Sequence, residues 1–271
     1  MLNKITGRLR YVTKTMKEIV PFLSENGFFF TARLFCSELF VVRKTYIANV
    51  SGVSLTFRSF SSDAHVINAW LRSPLPAHYI DAAVHDGIII DAGGNIGAAA
   101  VAFALHFPDK QIITVEPSRV NFAILKKNTR SFDNIIALNC AIGPDDESAY
   151  LEDTTGTTDG FTVVTGPGRT DHTALEEIEI RSVPSLLKDV AAQEIAILKI
   201  DIEGFEYELL TPPPNWISKV HLVAIELHER LRPGATRAYV NATNKGRIDL
   251  GFLGEMYFSK RDRPGKAKLG P

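Results

Sequence analysis

From Gly87 onward, short apolar runs alternate with segments of helical periodicity. The runs are GIIIDAGGNIG, QIITVEP, NIIALNCAIG, EIAILKIDIEG and HLVAIELHE. Their composition is typical of strands buried on both faces, and helical patterns such as SRVNFAILKKNT lie between them. Repeated strand–helix units form a parallel sheet covered by helices on both sides. The sequence therefore predicts an α/β fold, built on a doubly wound and mostly parallel sheet.

The chain divides into three predicted regions. Residues 1–61 are expected to form a mainly helical N-terminal extension or cap with a short strand pair. The main domain is predicted over 62–259, where Ser62 and Asp63 would start the first helix. Residues 260–271 are expected to be a flexible basic tail.

Charge and cysteine content limit the partners and the compartment. The net charge is −1, so no bulk field favours nucleic acid, and none is predicted as a partner. The two cysteines, Cys36 and Cys140, form no CxxC pair, and a cytoplasmic location is expected. The first eighteen residues are basic, which fits either a solvated helix face or peripheral contact with anionic lipid. The aromatic N-terminal helices suggest a cap or a homodimer surface.

The glycine turn DAGGNIG follows the first strand of the main domain, where ligands bind in doubly wound folds. Gly93 and Gly97 permit close approach of a ligand to the backbone, and the next helix offers free N–H groups near Asn95 and Ile96. A dinucleotide site prefers G-x-G-x-x-G, whose first glycine is missing here. Asp91 precedes the turn instead and suits a cationic amine, such as that of S-adenosylmethionine.

The next two strands end in further candidate binding residues. Glu116, followed by Pro117, stands about twenty residues beyond the turn, where a carboxylate accepts both hydroxyls of a ribose. The third strand ends in Asn139, Cys140 and Ala141, which are expected to line the adenine edge.

Several motifs together resemble the FkbM family of S-adenosylmethionine-dependent methyltransferases. They are IIIDAGGNIG, VEPSRVNFAILKKN, LNCAIG, VPSLL, LKIDIEGFEYELL and IELH. The resemblance covers about Ser62 to His228. It implies a class I methyltransferase fold with a seven-stranded sheet whose last strand is antiparallel. It also implies methyl transfer to a hydroxyl of a sugar, a glycan or another small natural product, with S-adenosylmethionine as the cofactor.

Charged residues end the fourth and fifth strands, which neighbour each other in this strand order. Asp201, Glu203, Glu226 and His228 are therefore expected to gather at one rim of the sheet, beside the methyl donor. Asp201, Glu203 and His228 are the predicted catalytic residues, with His228 or Asp201 as the general base. No metal is favoured, but Asp201, Glu226 and His228 would be the ligands if Mg²⁺ were used.

Structural roles are also open for some of these charges. Glu203 and Glu206 are expected in the first turn of a helix, where the helix dipole stabilises carboxylates, and a structural role is preferred for Glu206. Lys199 could pair with a neighbouring carboxylate or take part in the site, and the sequence favours neither role. Two other function classes stay open, an NAD-dependent oxidoreductase and a non-catalytic module that binds a nucleoside. The missing first glycine argues against the former, and the acidic rim argues against the latter.

Overall fold

The computed structural model describes residues 13–153, 161–164 and 174–262. Its N-terminal part is helical over residues 13–19, followed by a 3₁₀ turn at Val20–Phe22 and by helix α1 (Leu23–Leu39). Gly27 interrupts α1 with φ +79°, which kinks the helix. A two-stranded hairpin comes next.

The remaining elements alternate along the chain. The helices after α1 are α2 (Asp63–Leu71), α3 (Ala77–Ala83), α4 (Ala98–His106), α5 (Arg119–Thr129), α6 (Val183–Asp189), α7 (Glu206–Leu210) and α8 (Ala235–Thr243). The strands are β1 (Thr45–Val50), β2 (Val53–Arg58), β3 (Ile88–Ala92), β4 (Ile112–Val115), β5 (Ile135–Leu138), β6 (Ala141–Gly143), β7 (Glu147–Asp153), β8 (Phe161–Val164), β9 (Ala174–Ser182), β10 (Ile195–Ile200), β11 (Val220–Glu226), β12 (Arg247–Leu253) and β13 (Met256–Arg261).

The main sheet has seven strands in the order β12-β13-β11-β10-β3-β4-β5. All neighbours pair in parallel except β13, which is antiparallel to both β11 and β12. Helices α3 and α4 cover one face, and α6, α7 and α8 cover the other. The prediction of an α/β, doubly wound, mostly parallel seven-stranded sheet is confirmed. In this order the carboxyl ends of β3 and β10 are direct neighbours.

The third predicted strand, NIIALNCAIG, is divided between two sheets. Its first half is β5 in the main sheet, and its second half is β6 in a four-stranded sheet of order β6-β9-β7-β8. The chain turns at Asn139, whose Nδ2 donates to the carbonyl oxygens of Glu116 (2.8 Å) and Pro117 (3.0 Å). In β6, a Cβ on Gly143 would overlap the side chain of Ile180, so glycine is needed for β9 to approach.

The N-terminal extension packs directly onto the main domain. Phe22 stacks on Phe57 with ring centroids 5.2 Å apart, and both belong to an apolar cluster that also contains Ile96 and Val101. Asn128 of the main domain accepts a hydrogen bond from the backbone N–H of Thr56 (2.7 Å) and donates one to the Thr56 carbonyl (2.9 Å). One core therefore spans the predicted boundary between residues 61 and 62.

The C-terminal strand continues past its predicted end. β13 reaches Arg261, which forms an ion pair with Glu194, so the first two residues of the predicted 260–271 tail are strand. The rest of that tail from residue 263, most of the basic N-terminus, and most of the polar segment 154–173 lie outside the described residues. No helix within the described ranges is long and apolar enough to cross a membrane.

Candidate functional site

The glycine turn after β3 packs against the end of β10. Gly93 has φ +81°, and a Cβ there would overlap the carbonyl oxygen of Asp201. Asn95 (φ +48°) and Gly97 (φ +86°) complete a turn of left-handed residues that leads into α4. Only glycine meets both requirements at position 93, because it has no Cβ and tolerates positive φ.

Two cavities open beside this turn. The narrow cavity encloses about 620 Å³, counting its open mouth, between the ends of β4 and β6 and the segment after β10. The wide cavity encloses about 1320 Å³ on the same measure, between helices α2 and α3 and the β12–β13 hairpin. Both are lined by Gly93, Asn95 and Asp201, so the two cavities meet at the turn.

Glu116 forms the polar wall of the narrow cavity. Its Oε2 accepts a hydrogen bond from the backbone N–H of Asn95 (2.8 Å) and its Oε1 accepts one from Ser118 N–H (3.0 Å). Burial raises the pKa of Glu116 to about 7, although these N–H donors favour the charged form. The side chain is thus fixed in one orientation beside the turn, where its remaining lone pairs can accept hydroxyl groups.

The other predicted binding residues are distributed unevenly around the narrow cavity. Pro117 and Ala141 line it, together with Ile142 and Phe205, which sequence reasoning did not identify. Asn139 and Cys140 do not line it, since the Asn139 amide binds the backbone after β4 and Cys140 is only 3% exposed within the core. Because the predicted third strand divides between two sheets at this point, neither side chain faces the narrow cavity.

Ile96 and Gly97 lie behind the turn and line neither cavity. Ile96 is fully buried in the cluster that joins the N-terminal extension to α4. Gly97 is the residue from which α4 starts. Both therefore support the turn and do not contact the cavity space, in contrast to the predicted role at the ligand.

Asp91 differs most from its predicted role. It is fully buried beneath the turn, where Oδ2 accepts from the Thr114 hydroxyl (2.9 Å) and Oδ1 lies 3.2 Å from Lys199 Nζ. Lys199 also donates to the carbonyl of Gly93 (2.8 Å) and lies 3.5 Å from Asp201. Asp91 cannot hold a ligand amine directly in this position, because the lysine ammonium already neutralises it. Of the two roles that the sequence left open for Lys199, the structure shows the pairing with carboxylates.

Burial opposes the charge on Lys199, but Asp91 and Asp201 outweigh it and raise its pKa above the ordinary value. The ammonium therefore stays charged and joins the ends of β3 and β10. This buried pair fixes the orientation of the Asp201 carboxylate, which is about one third exposed where the cavities meet.

A cluster of acids surrounds His228 at the same rim. His228 Nε2 lies 3.5 Å from both Glu203 and Glu226 and 3.9 Å from Asp201. Its Nδ1 makes a 2.8 Å hydrogen bond with Glu206. The structure therefore brings together all four residues that the strand order predicted to gather there.

The charge state of His228 does not suit a general base. Burial alone lowers its pKa, but the hydrogen bonds with Glu206 and Glu226 and the charge of Glu203 raise the pKa to about 11. An imidazolium has no free lone pair with which to accept a proton. Burial also raises the pKa of Glu203 to about 7, against the opposing charge of His228. A carboxylate is accordingly the better-suited base in this cluster.

Glu206 has a role that sequence reasoning missed. It is fully buried, and its Oε1 accepts from His228 and from the backbone N–H groups of Ile202 and Gly204 (both 3.3 Å). It therefore fixes the imidazole as well as the start of α7. Helix α7 begins only at Glu206, so Glu203 lies in the preceding turn with φ +50° and not in the first helical turn. The one signal in the sequence that could have indicated this role of Glu206 is its i, i+3 spacing from Glu203.

A cation could be held by atoms of Asp201, Glu203 and His228, which lie within 4.8 Å of one another. Glu203 takes the place that sequence reasoning gave to Glu226. His228 would have to lose its proton to bind a metal, and its surroundings oppose that loss.

Comparison with known proteins identifies the family. The model of the methyltransferase FkbM domain matches residues 91–246, more than half of the chain. A curated relative, Methyltransferase 1 of Beauveria bassiana, is 24% identical over 145 residues, covering 46% of this chain and 57% of that protein. The chain thus spans little more than half the length of this relative.

Solved structures of low identity were also found. Methyltransferase FkbM from Methylobacillus flagellatus is 14% identical with a TM-score of 0.44, over 73% of this chain and 53% of that chain. TrmK of M. capricolum, solved with S-adenosyl-homocysteine, is 11% identical with a TM-score of 0.35, over 69% and 68% of the two chains. The family model covers the glycine turn, Glu116 and the acid cluster around His228, and the chain belongs to the FkbM methyltransferase family.

Proposed function

We propose that the chain is an S-adenosylmethionine-dependent methyltransferase that methylates a hydroxyl of a small-molecule or glycan acceptor. One observation carries the proposal. The glycine turn and Glu116 line a cavity that meets the acid cluster around His228 at a shared residue, Asp201. A binding pocket for a donor and a group able to take up a proton thus lie side by side.

The residues present fit this donor. Glu116 can accept the two ribose hydroxyls, and Ala141, Ile142 and Phe205 offer an apolar surface for adenine. The absent Cβ at Gly93 lets the backbone of Asp201 pack against the turn, which brings Asp201 into both cavities. The buried Oδ1 of Asn95 has no hydrogen-bond partner among the described residues and stands where the two cavities meet. A donor that extends from one cavity toward the other would satisfy it.

S-adenosylmethionine supplies a methyl group already activated by its sulfonium. The chain must then align the acceptor hydroxyl and remove its proton. We assign Glu203 as the base that removes the proton of the acceptor hydroxyl, because its pKa of about 7 suits a base at neutral pH. Asp201 is the neighbouring carboxylate nearest the turn. The His228 imidazolium holds these acids in place, and Glu206 fixes the imidazole.

The alternative of an NAD-dependent oxidoreductase is not favoured. The turn lacks the first glycine of the dinucleotide pattern, and the chain belongs to a methyltransferase family. A nucleoside-binding module without catalysis would have no need of four carboxylates gathered around one imidazole. The metal-free mechanism is preferred to one with Mg²⁺ because a carboxylate of the cluster, Glu203, can take up the proton directly.

Calorimetric titration with S-adenosylhomocysteine, the demethylated product of the donor, tests the proposal. The wild-type protein is expected to bind it, and Glu116→Ala is expected to lose most of that affinity. Glu177→Ala removes an exposed glutamate on β9, away from both cavities, and is the matched control. Parallel titrations with NAD⁺, and with S-adenosylhomocysteine plus Mg²⁺ or EDTA, test the alternatives. Binding of NAD⁺ but not of S-adenosylhomocysteine to folded protein would refute the proposal.

A further inference from the structure

If the donor occupies the narrow cavity, the wide cavity is available to a second ligand. It extends away from the glycine turn to α2, to the start of α3 and to the β12–β13 hairpin. Apolar side chains form much of its wall, among them Trp70, Leu75, Pro76, Met256 and Phe258. Lys199, Asp201 and Glu226 from the strand ends form its charged end, and Lys199 is already paired there.

Tyr79 is the unusual polar group in this wall. Its side chain is 1% exposed, and its ring packs edge-to-face on Phe103 (5.2 Å) and Phe258 (5.6 Å). Its hydroxyl is buried and has no hydrogen-bond partner among the described residues. A buried hydroxyl without a partner is unfavourable, so such a group in a cavity wall points to a ligand that satisfies it.

The Tyr79 hydroxyl is suited to donate a hydrogen bond. Burial, and then the negative charges of Asp91 and Asp201, raise the pKa of Tyr79 above its ordinary value. The phenol therefore keeps its proton at neutral pH and can offer it to an oxygen atom of a ligand.

We propose that the wide cavity is the acceptor site, that it takes an acceptor with an aromatic or aliphatic body in preference to a free sugar, and that Tyr79 donates a hydrogen bond to a polar group of that acceptor. This inference rests on the proposed function, because it takes the narrow cavity as the donor site. The junction at Asp201 then places the acceptor hydroxyl beside Asp201 and Glu226, which line the wide cavity, while Glu203 lies on the narrow-cavity side of the same junction.

The wall chemistry separates the two acceptor classes. A free sugar carries hydroxyls on all sides, and each buried hydroxyl needs a polar partner. The wide cavity carries Lys199, Asp201 and Glu226 at the strand ends, has the exposed residues His65 and Glu255 in its lining, and presents Trp70, Leu75, Pro76 and Phe258 elsewhere. Such a wall matches a ligand with one polar end and an apolar remainder.

The test uses the full chain saturated with S-adenosylhomocysteine, so that the narrow cavity is occupied. Binding of three probes is measured by ligand-observed NMR: 2-naphthol, naphthalene and methyl β-glucoside. We expect 2-naphthol to bind at least about tenfold more tightly than the glucoside. Tyr79→Phe keeps the ring and removes only the hydroxyl. This variant should bind 2-naphthol about threefold to tenfold more weakly, which corresponds to the loss of one hydrogen bond. Its affinity for naphthalene should be unchanged.

A pair of cavity variants locates the binding. Ala69→Trp places an indole in the cavity wall on α2 and should abolish 2-naphthol binding, whereas Val84→Trp adds the same group at a position that is 79% exposed and lines neither cavity. Tighter binding of the glucoside, unchanged 2-naphthol affinity in Ala69→Trp, or no loss in Tyr79→Phe would overturn the inference. Failure of S-adenosylhomocysteine to bind would instead refute the proposed function, and the acceptor role with it.

Discussion

Replacing Glu206 by glutamine tests whether this carboxylate holds His228 in its charged form. Glu206 is fully buried, and its Oε1 accepts from His228 Nδ1 at 2.8 Å and from two backbone N–H groups. Its Oε2 is buried with no hydrogen-bond partner among the described residues. Glutamine keeps the shape and the acceptor oxygen but removes the charge and places an NH₂ group at the other position.

The expected loss of stability has two parts. A buried NH₂ group with no acceptor costs about 1–3 kcal/mol, and exchange of a charge-assisted hydrogen bond for a neutral one costs about 1 kcal/mol more. We therefore expect Glu206→Gln to lower the free energy of unfolding by about 2–4 kcal/mol, which for a chain of this size lowers Tm by roughly 5–12 °C. The pKa of His228 should fall from about 11 by one unit or more, since 1.36 kcal/mol corresponds to about one unit.

The direction in which the unfolding free energy changes with pH follows from the pKa of His228. The pKa of His228 is higher in the folded protein than its ordinary value of 6.5. Its contribution to stability is therefore fully present below pH 6.5 and is lost as the pH rises towards 11. The difference in unfolding free energy between wild type and Glu206→Gln should accordingly stay nearly constant up to the lowered pKa of His228 in the variant, and shrink between that pKa and about pH 11, where His228 of the wild type loses its proton. Urea unfolding at several pH values measures it, and NMR of ¹³C-labelled histidine follows the titration of His228.

Glu208→Gln is the matched control on the same helix. Glu208 pairs with Arg232 at 2.7 Å in a partly exposed position, so its loss should cost at most about 1 kcal/mol and leave the titration of His228 unchanged. Equal destabilisation by the two variants, or an unshifted His228 in Glu206→Gln, would show that Glu206 does not hold the imidazolium.

Three further predictions concern the donor cavity and its support. Affinity for S-adenosylhomocysteine should rise about tenfold per pH unit up to pH 7 as Glu116 ionises, and then level off; calorimetry on Glu116→Gln should show no such rise. Gly93→Ala should abolish this binding, and Gly52→Ala is the control that should not. Both glycines have φ above +80°, but no atom lies within 4 Å of a Cβ at position 52. Equal binding by the two variants would contradict the steric argument. Lys199→Met leaves Asp91 buried without a counter-charge and should lower the unfolding free energy by about 3–5 kcal/mol in urea, whereas a loss under 1 kcal/mol would mean that the pair is not needed.

Two features of this protein follow from its sequence alone. The apolar runs and the helical patterns between them specify the sheet, because a strand buried on both faces must be apolar throughout. The same pattern predicts the acid cluster, since the carboxyl ends of β10 and β11 must meet at one edge. Asp201, Glu203, Glu226 and His228 gather there as expected.

The roles of individual charges depended on tertiary contacts. Asp91 lies under the turn because Lys199, 108 positions further along the chain, pairs with it from the neighbouring strand. His228 is a cation because four carboxylates from two segments surround it. Periodicity shows which positions are buried, but a pKa depends on the distances between charges that only the folded chain brings together.

The wide cavity is the clearest case of a feature that only the tertiary structure decided. Its walls come from α2, from the start of α3, from the glycine turn and from the β12–β13 hairpin, which are far apart in the chain. Each of these segments has an ordinary pattern of apolar residues in the sequence. Whether such residues fill a core or leave an open space depends on how closely the elements pack, and that distance is set by the whole fold.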